Sequence, residues 1–268
     1  MATTDTTSRG SAAMQGGLWG ERARDYAEFQ EPQCRPLYRH ALGRTRIGKG
    51  CSVLDVGCGP GGFCRLAAQA GCSVTGIDAG PPLIAIARER VPDGRFDIGD
   101  MQSLPYDDDS FDLVTGFNSF QYAADPVVAL AEAGRVAKPG AIVHAVVWGR
   151  AEHTELAPVL SALRPLLPPA PSDAPGPFAL SYPGTLEALF ERSGLAPIDD
   201  GYIEVTFEYP DEESLLRGNR ANGPIVLAER TSGEAAVIDG VREAFAPFRA
   251  SSGAYRLETE WRYVTARA

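Results

Sequence analysis

Lysine is nearly absent. Lys49 and Lys138 are the only two in 268 residues, and every other basic side chain is arginine. Acidic residues outnumber basic ones, 35 to 25, for a formal net charge of −10. Phosphate backbones are held by Lys and Arg, and neither a basic stripe nor an appended binding module is legible. Nucleic acid is therefore not expected as a partner. Histidine is scarce too: His40, His144 and His153 lie far apart, and the five cysteines (Cys34, Cys51, Cys58, Cys64 and Cys72) form no CxxC pair. The usual zinc spacings are excluded and no metal is expected. The thiols read as small buried hydrophobes in a reducing cytoplasm. No apolar run approaches the roughly 20 residues of a membrane span, so no membrane partner is expected. The opening MATTDTTSRGSAAM lacks the apolar core of a secretory signal, and a cytoplasmic location is the expectation. Abundant Ala, Gly, Pro and Arg beside so little Lys suggest a GC-rich, bacterial coding genome.

What the chain has is regular alternation. Residues 1–14 are rich in Thr, Ser, Ala and Gly and read as a disordered tail. Residues 18–46 read as helical, interrupted near Pro32 and Pro36. Strands are predicted over 52–56, 73–77, 95–98, 111–116 and 141–148, with helices over 61–70, 82–90 and 126–136. This order implies a parallel sheet covered on both faces. AIVHAVVW, residues 141–148, is nearly continuous and apolar, as a doubly buried strand should be. Two further alternating runs, 201–209 and 255–266, are expected to pair antiparallel at the sheet edge. The fold class is thus α/β: a Rossmann-like, doubly wound, mostly parallel seven-stranded sheet with an antiparallel edge strand and a helical lid insertion. Residues 15–149 form the binding core. Residues 150–185, with PLLPPAPSDAPGP at their middle, read as an irregular lid. Residues 186–210 return to the core, 211–253 form a helical cap over the substrate, and 254–268 supply the terminal edge strand.

The stretch VLDVGCGPGG, residues 53–62, places an acid and four glycines at the first strand–helix junction. Gly57, Gly59 and Gly62 match the dinucleotide pattern GxGxxG, and Asp78 stands about 20 residues on. Gly57, Gly59 and Gly61 equally match the acid-x-G-x-G-x-G loop of S-adenosylmethionine sites, with Asp55 as the acid. Charge discriminates between them. A pyrophosphate at a helix N-terminus would be opposed by Asp55, and Pro60 lacks one of the backbone donors a phosphate cradle could use. The sulfonium and ammonium of S-adenosylmethionine would be attracted. Asp78 suits a ribose diol in either case. Asp100 can accept the adenine amino hydrogens, with Met101 beside the ring.

With these segments in order, the chain resembles the class I S-adenosylmethionine-dependent methyltransferases, in particular the group of type 11 methyltransferase domains. VLDVGCGPGG, GID, GDMQSLPYDDDSFDLV and RVAKPGAIV carry the resemblance, which covers roughly residues 18–148. It implies S-adenosylmethionine as cofactor, with Asp55, Gly57, Gly59 and Gly61 at its methionine end, Asp78 on the ribose and Asp100 and Met101 on adenine. Asn118 would lie near the methyl. Cys58 and Ala79, inside two of these segments, are counted with the cofactor residues. LWGERARDY resembles the group's entry helix, where Trp19 and Tyr26 would cover the cofactor. These helices either cap the cofactor or pack across a homodimer.

Methyl transfer is an in-line displacement in which positioning can supply roughly 7–11 kcal/mol, and a base is needed only for a protonated nucleophile. No secure catalytic signature is present. The candidates are Gln121 and Tyr122 after the fourth strand and His153 after the fifth. His144 reads as a satisfied core histidine and His40 as a surface one. Arg220 and Asn222 are candidate substrate contacts. Asp107, Asp108 and Asp109 read as a solvated turn. The leading expectation is a methyltransferase acting on an enclosed small molecule at O, N or C. The alternatives are an RNA or protein methyltransferase, and a binder of the same cofactor that performs other chemistry such as cyclisation. A dinucleotide oxidoreductase is disfavoured by Asp55 and Asp100.

Overall fold

A computed structural model describes residues 11–169 and 176–268. The first strand, β1 (Ser52–Val56), is SVLDV, apolar enough to be buried from Val53 onward. Beside it run β2 (Ser73–Asp78), β3 (Arg95–Ile98), β4 (Phe111–Phe117) and β5 (Ala137–Trp148), all parallel. β6 (Ala196–Tyr209) and β7 (Tyr255–Arg267) complete a seven-stranded sheet in the order β3-β2-β1-β4-β5-β7-β6. Crossovers are α4 (Gly62–Gln69), α5 (Pro81–Arg90) and α6 (Pro126–Val136), with α8 (Thr185–Arg192) leading into β6. Asp125 caps α6 through its carboxylate, which accepts from the Val127 and Val128 amides, and Pro126 sits at the first helical position where its missing N–H costs nothing.

One expectation about the sheet is corrected. β7 is not the edge strand. It pairs antiparallel with β5 on one side and β6 on the other, so β6 forms the edge. Residues 259–266 are buried without interruption, Arg262 among them, because both sheet faces are covered there. A strand buried on both faces loses the simple alternation that an edge assignment relies on. Arg262 is tolerated inside because Glu187 and Asp200 pair with it and the Gly201 carbonyl accepts from it.

The N-terminal segment is helical but broken. α1 (Ser11–Trp19) begins inside the stretch 1–14 read as disordered; residues 1–10 lie outside the described structure. α1 orders because it packs on the β2–α5 turn. A methyl group at Gly16 would come within 2.1 Å of the Ala79 carbonyl oxygen. A short turn, α2 (Ala23–Asp25), runs into a π-helical turn at Tyr26–Gln30 and a 3-10 turn at Glu31–Cys34, then α3 (Arg35–Thr45). Pro32 and Pro36 lack the donors a continuous helix would need there.

The segment expected as an irregular lid contains α7 (Leu156–Leu163), while residues 170–175 of its proline-rich middle lie outside the described structure. The insertion folds as α9 (Glu212–Arg220), α10 (Gly223–Ser232) and α11 (Glu234–Phe245). Val159, Leu215, Ile225, Val241 and Phe245 from these helices join the same hydrophobic cluster as Val53, Phe63 and Trp261. The insertion therefore shares the sheet's core. α6 and α8 cover the other face, where Leu130, Ala133, Leu186 and Phe190 pack on Leu54, Val114 and Val143.

Candidate active site

A cleft opens at the carboxyl ends of β1, β2 and β4, where open α/β sheets bind ligands. The glycine loop builds one wall. Gly57, Gly59 and Gly61 all have positive φ, at 75°, 53° and 84°, a region glycine occupies without steric cost. At Gly57 space is also exhausted: an added methyl would lie 2.4 Å from the Ser119 β-carbon. Asp78 fixes the loop, its carboxylate accepting from the Gly59 amide at 2.9 Å and the Gly80 amide at 2.8 Å. Burial pushes its carboxyl above the usual range while these amides draw it back. A carboxylate offers about four acceptor positions, so Asp78 keeps capacity for a diol.

Most of the residues read as cofactor contacts meet here. Trp19, Tyr26, Gly57, Gly59, Asp78, Ala79, Asp100, Met101 and Asn118 all line the cleft. Asp100 turns one oxygen to the Gln102 amide at 2.9 Å. Asn118 adopts φ 52° and donates its own amide to the Val146 carbonyl at 2.7 Å, which pins the turn after β4. Trp19 packs edge-on against both Tyr26 and Tyr122, with ring centroids 5.6 and 5.5 Å apart, and makes an aromatic roof. The start of α10 braces it, since a methyl at Gly223 would fall 2.7 Å from the indole nitrogen. Gln15, Ser119 and Leu83 also line the cleft. Nothing in their sequence context marks them, because they arrive through packing.

Three residues of the predicted set stand outside the lining. Asp55 is buried behind the loop, where its carboxylate accepts from the Thr115 hydroxyl at 2.8 Å, and desolvation lifts its pKa to about 7. Cys58 turns into the sheet against Gly76. Gly61 faces Ala87 of α5. These three shape the loop from behind.

The catalytic candidates separate as well. Tyr122 lines the cleft, and burial pushes its phenol up to about 12, so at neutral pH it is protonated and can donate. Gln121 sits behind the wall and donates to the Asn118 side-chain oxygen at 2.5 Å. His153 is exposed on a 3-10 turn and does not line the cleft. A sequence position after a strand fixes where the chain leaves the sheet but not which way the next turn heads. His144 is only half satisfied: Nδ1 meets the Thr265 hydroxyl at 2.8 Å, while Nε2 has no partner among the described residues. His40, read as a surface residue, is half-buried against Tyr263. Arg220 and Asn222 do not line the cleft. Arg220 pairs with Glu229 at 2.6 Å and with Glu234, and Asn222 donates to the Gly218 and Asn219 carbonyls. Asp108 of the acidic turn pairs with Arg135 at 2.7 Å.

A buried acid behind the loop also escaped sequence reading. Glu31, 5% exposed, lies at the N-terminus of α4 and accepts from the Gly62 amide at 2.7 Å. Its other oxygen pairs with Arg90 of α5. No local pattern signals this, since the two partners are 31 and 59 residues away.

Among the described residues no Lys, Arg or His lines the cleft, and two carboxylates do. Such a wall fits a cationic nucleoside and opposes a diphosphate.

Comparison with known proteins agrees. The family model described as a methyltransferase domain matches residues 54–145. The malonyl-[acyl-carrier protein] O-methyltransferase of Erwinia billingiae is 30% identical over 185 residues, 69% of each chain. The protein of the same name from Salmonella typhimurium is 37% identical over 92 residues, which cover 34% of this chain and 37% of that one. The chain thus spans little more than a third of the Salmonella protein. The [4+2]-cyclase SpnF superposes with a TM-score of 0.56 at 22% identity over 87% of this chain and 80% of that one, a likeness of fold. The chain belongs to the class I S-adenosylmethionine-dependent methyltransferases, a family of enzymes. Within that class it falls in the methyltransferase-domain group that includes the malonyl-[acyl-carrier protein] O-methyltransferases.

Proposed function

We infer that the protein transfers the methyl group of S-adenosylmethionine to a small acceptor at oxygen, nitrogen or carbon. The observation that carries this reading is the cleft wall, with two carboxylates, an aromatic roof and, among the described residues, no cation. Asp78 would hold the ribose and Asp100 and Met101 the adenine, while Gly57, Gly59 and Tyr26 would flank the methionine end. Bound there, the cofactor supplies an electrophilic methyl on a sulfonium. The chain's part is to hold, align and dry the site: Trp19 and Tyr122 cover it, and Asn118 with the Tyr122 hydroxyl offers hydrogen bonds beside the transferring group. With no imidazole on the wall, the acceptor arrives ionised, as an uncharged amine, or with its own base.

A second reading has a specific observation in its favour. The named relatives act on malonyl groups carried by acyl-carrier protein, and this chain has a basic face despite its net charge. Arg35, Arg39, Arg46, Lys49 and Arg65 are exposed on α3, the loop after it and α4, and none forms an ion pair among the described residues. Between Pro32 and Ile77 the only acid is the buried Asp55. An acceptor delivered on an acidic carrier would suit that face. Incubation with methyl-labelled cofactor and separate pools of small acids, phenols, amines and acyl-carrier thioesters distinguishes these readings. Label in a small product supports the first and label on the carrier the second. Turnover of acceptor to an unlabelled, cyclised product contradicts both.

A further inference from the structure

The junction between β1 and α4 has the build of an anion seat: a glycine loop leading into a helix N-terminus. In this protein the seat is already taken. Glu31 presents a carboxylate oxygen to the Gly62 amide at 2.7 Å. The fit leaves no slack, because the position a methyl would occupy on Gly62 lies 2.6 Å from that oxygen. Arg90 neutralises the other oxygen and also donates to the Ala27 carbonyl at 2.7 Å and the Pro60 carbonyl at 3.2 Å. One ion pair thereby joins the N-terminal segment, the glycine loop and α5. Tyr26, one residue before Ala27, lines the cleft, with its ring 3.9 Å from where a Gly59 methyl would sit.

We propose that Glu31 is a built-in anion that fills the phosphate seat of the glycine loop, excludes phosphate-bearing cofactors and clasps the aromatic roof onto the cofactor cleft. Glu31 is a positioning residue, acting through Gly62 and Arg90. Its effect on S-adenosylmethionine rests on the function proposed above; its occupation of the anion seat does not. Desolvation raises the Glu31 carboxyl while Arg90 and the Gly62 amide oppose that rise, in keeping with a charge held by its partners.

The test uses the full chain and two readouts. Glu31→Ala empties the seat and leaves Arg90 unpaired. Inorganic pyrophosphate, formate and acetate should each raise the melting temperature of this variant while leaving the parent protein unmoved. By calorimetry the variant's affinity for S-adenosylhomocysteine should fall at least about tenfold, and formate should restore part of it. Glu31→Ser, which also empties the seat, is the fallback where the alanine variant fails to fold, and it should respond to the same anions. Arg90→Gln added to Glu31→Ser should abolish the anion response. A melting temperature that ignores all three anions overturns the seat, and an unchanged affinity for S-adenosylhomocysteine overturns the clasp. Failure of the parent protein to bind S-adenosylhomocysteine would count against the function proposed above, while the anion response would still decide the seat.

Discussion

Asp55 shows how far one residue's charge can be read and where the reading stops. Its place before the glycines argues for an acidic pocket, yet its carboxylate points to Thr115, away from the cleft. Burial raises its pKa from 3.8 to about 7. The folded state then binds a proton that the unfolded chain releases, so the contribution of Asp55 to stability is fully present below about pH 4 and is lost as pH rises to about 7. At about 1.4 kcal/mol per unit the ceiling on that loss is about 4 kcal/mol. His144 works the other way. Burial lowers it to about 3, so its contribution is present above pH 6.5 and is lost on acidification. Asp55→Asn separates the two. Urea unfolding from pH 4 to 8 should show a falling stability curve for the parent relative to the asparagine variant, with the gap widening toward pH 7. Parallel curves would show that Asp55 ionises as freely folded as unfolded.

At the scale of elements, α1 is the part that makes the cleft a cavity. Its sequence, SAAMQGGLW, has no strong apolar stripe, and residues 1–14 are rich in Thr, Ser, Ala and Gly, which is why they read as a tail. Tertiary contact supplies what propensity does not. Gly16 lies against the Ala79 carbonyl, and Trp19 lies under α10. Gly16→Ala should lift α1 from the β2–α5 turn. Calorimetry with S-adenosylhomocysteine is expected to show affinity weakened about tenfold, while the urea midpoint moves little because the sheet and its main core are untouched. Undiminished affinity would mean that α1 does not cover the ligand. β1 through β5 and their crossovers were legible because each carries its own period and punctuation. β7 was not legible as an inner strand, because its neighbours in the sheet are set by long-range pairing and both of its faces are covered. Glu31 and the half-buried His40 were missed for the same reason: their surroundings come from distant elements.

Over the whole molecule, arginines hold the cap to the entry helices. Glu229 of α10 receives Arg22 from the N-terminal segment and Arg220 from α9, each at 2.6 Å. Arg217 reaches Asp25 at 2.7 Å, and Arg230 pairs with Glu21. Arginine suits such forked contacts better than lysine does, which gives the scarcity of lysine a structural use here. The same global view corrects the inference from net charge. The total of −10 conceals a basic face on α3 and α4, so net charge does not describe every surface of the chain. It is the local charge of the cleft that bears on the cofactor: carboxylates at Asp78 and Asp100, Glu31 against the Gly62 amide and, among the described residues, no cation on the wall. The most direct measurement is a paired calorimetric titration of the full chain with S-adenosylhomocysteine and with NAD under one buffer. The account predicts saturable one-to-one uptake of S-adenosylhomocysteine and no heat of binding from NAD. Binding of NAD, or no uptake of S-adenosylhomocysteine, would contradict it.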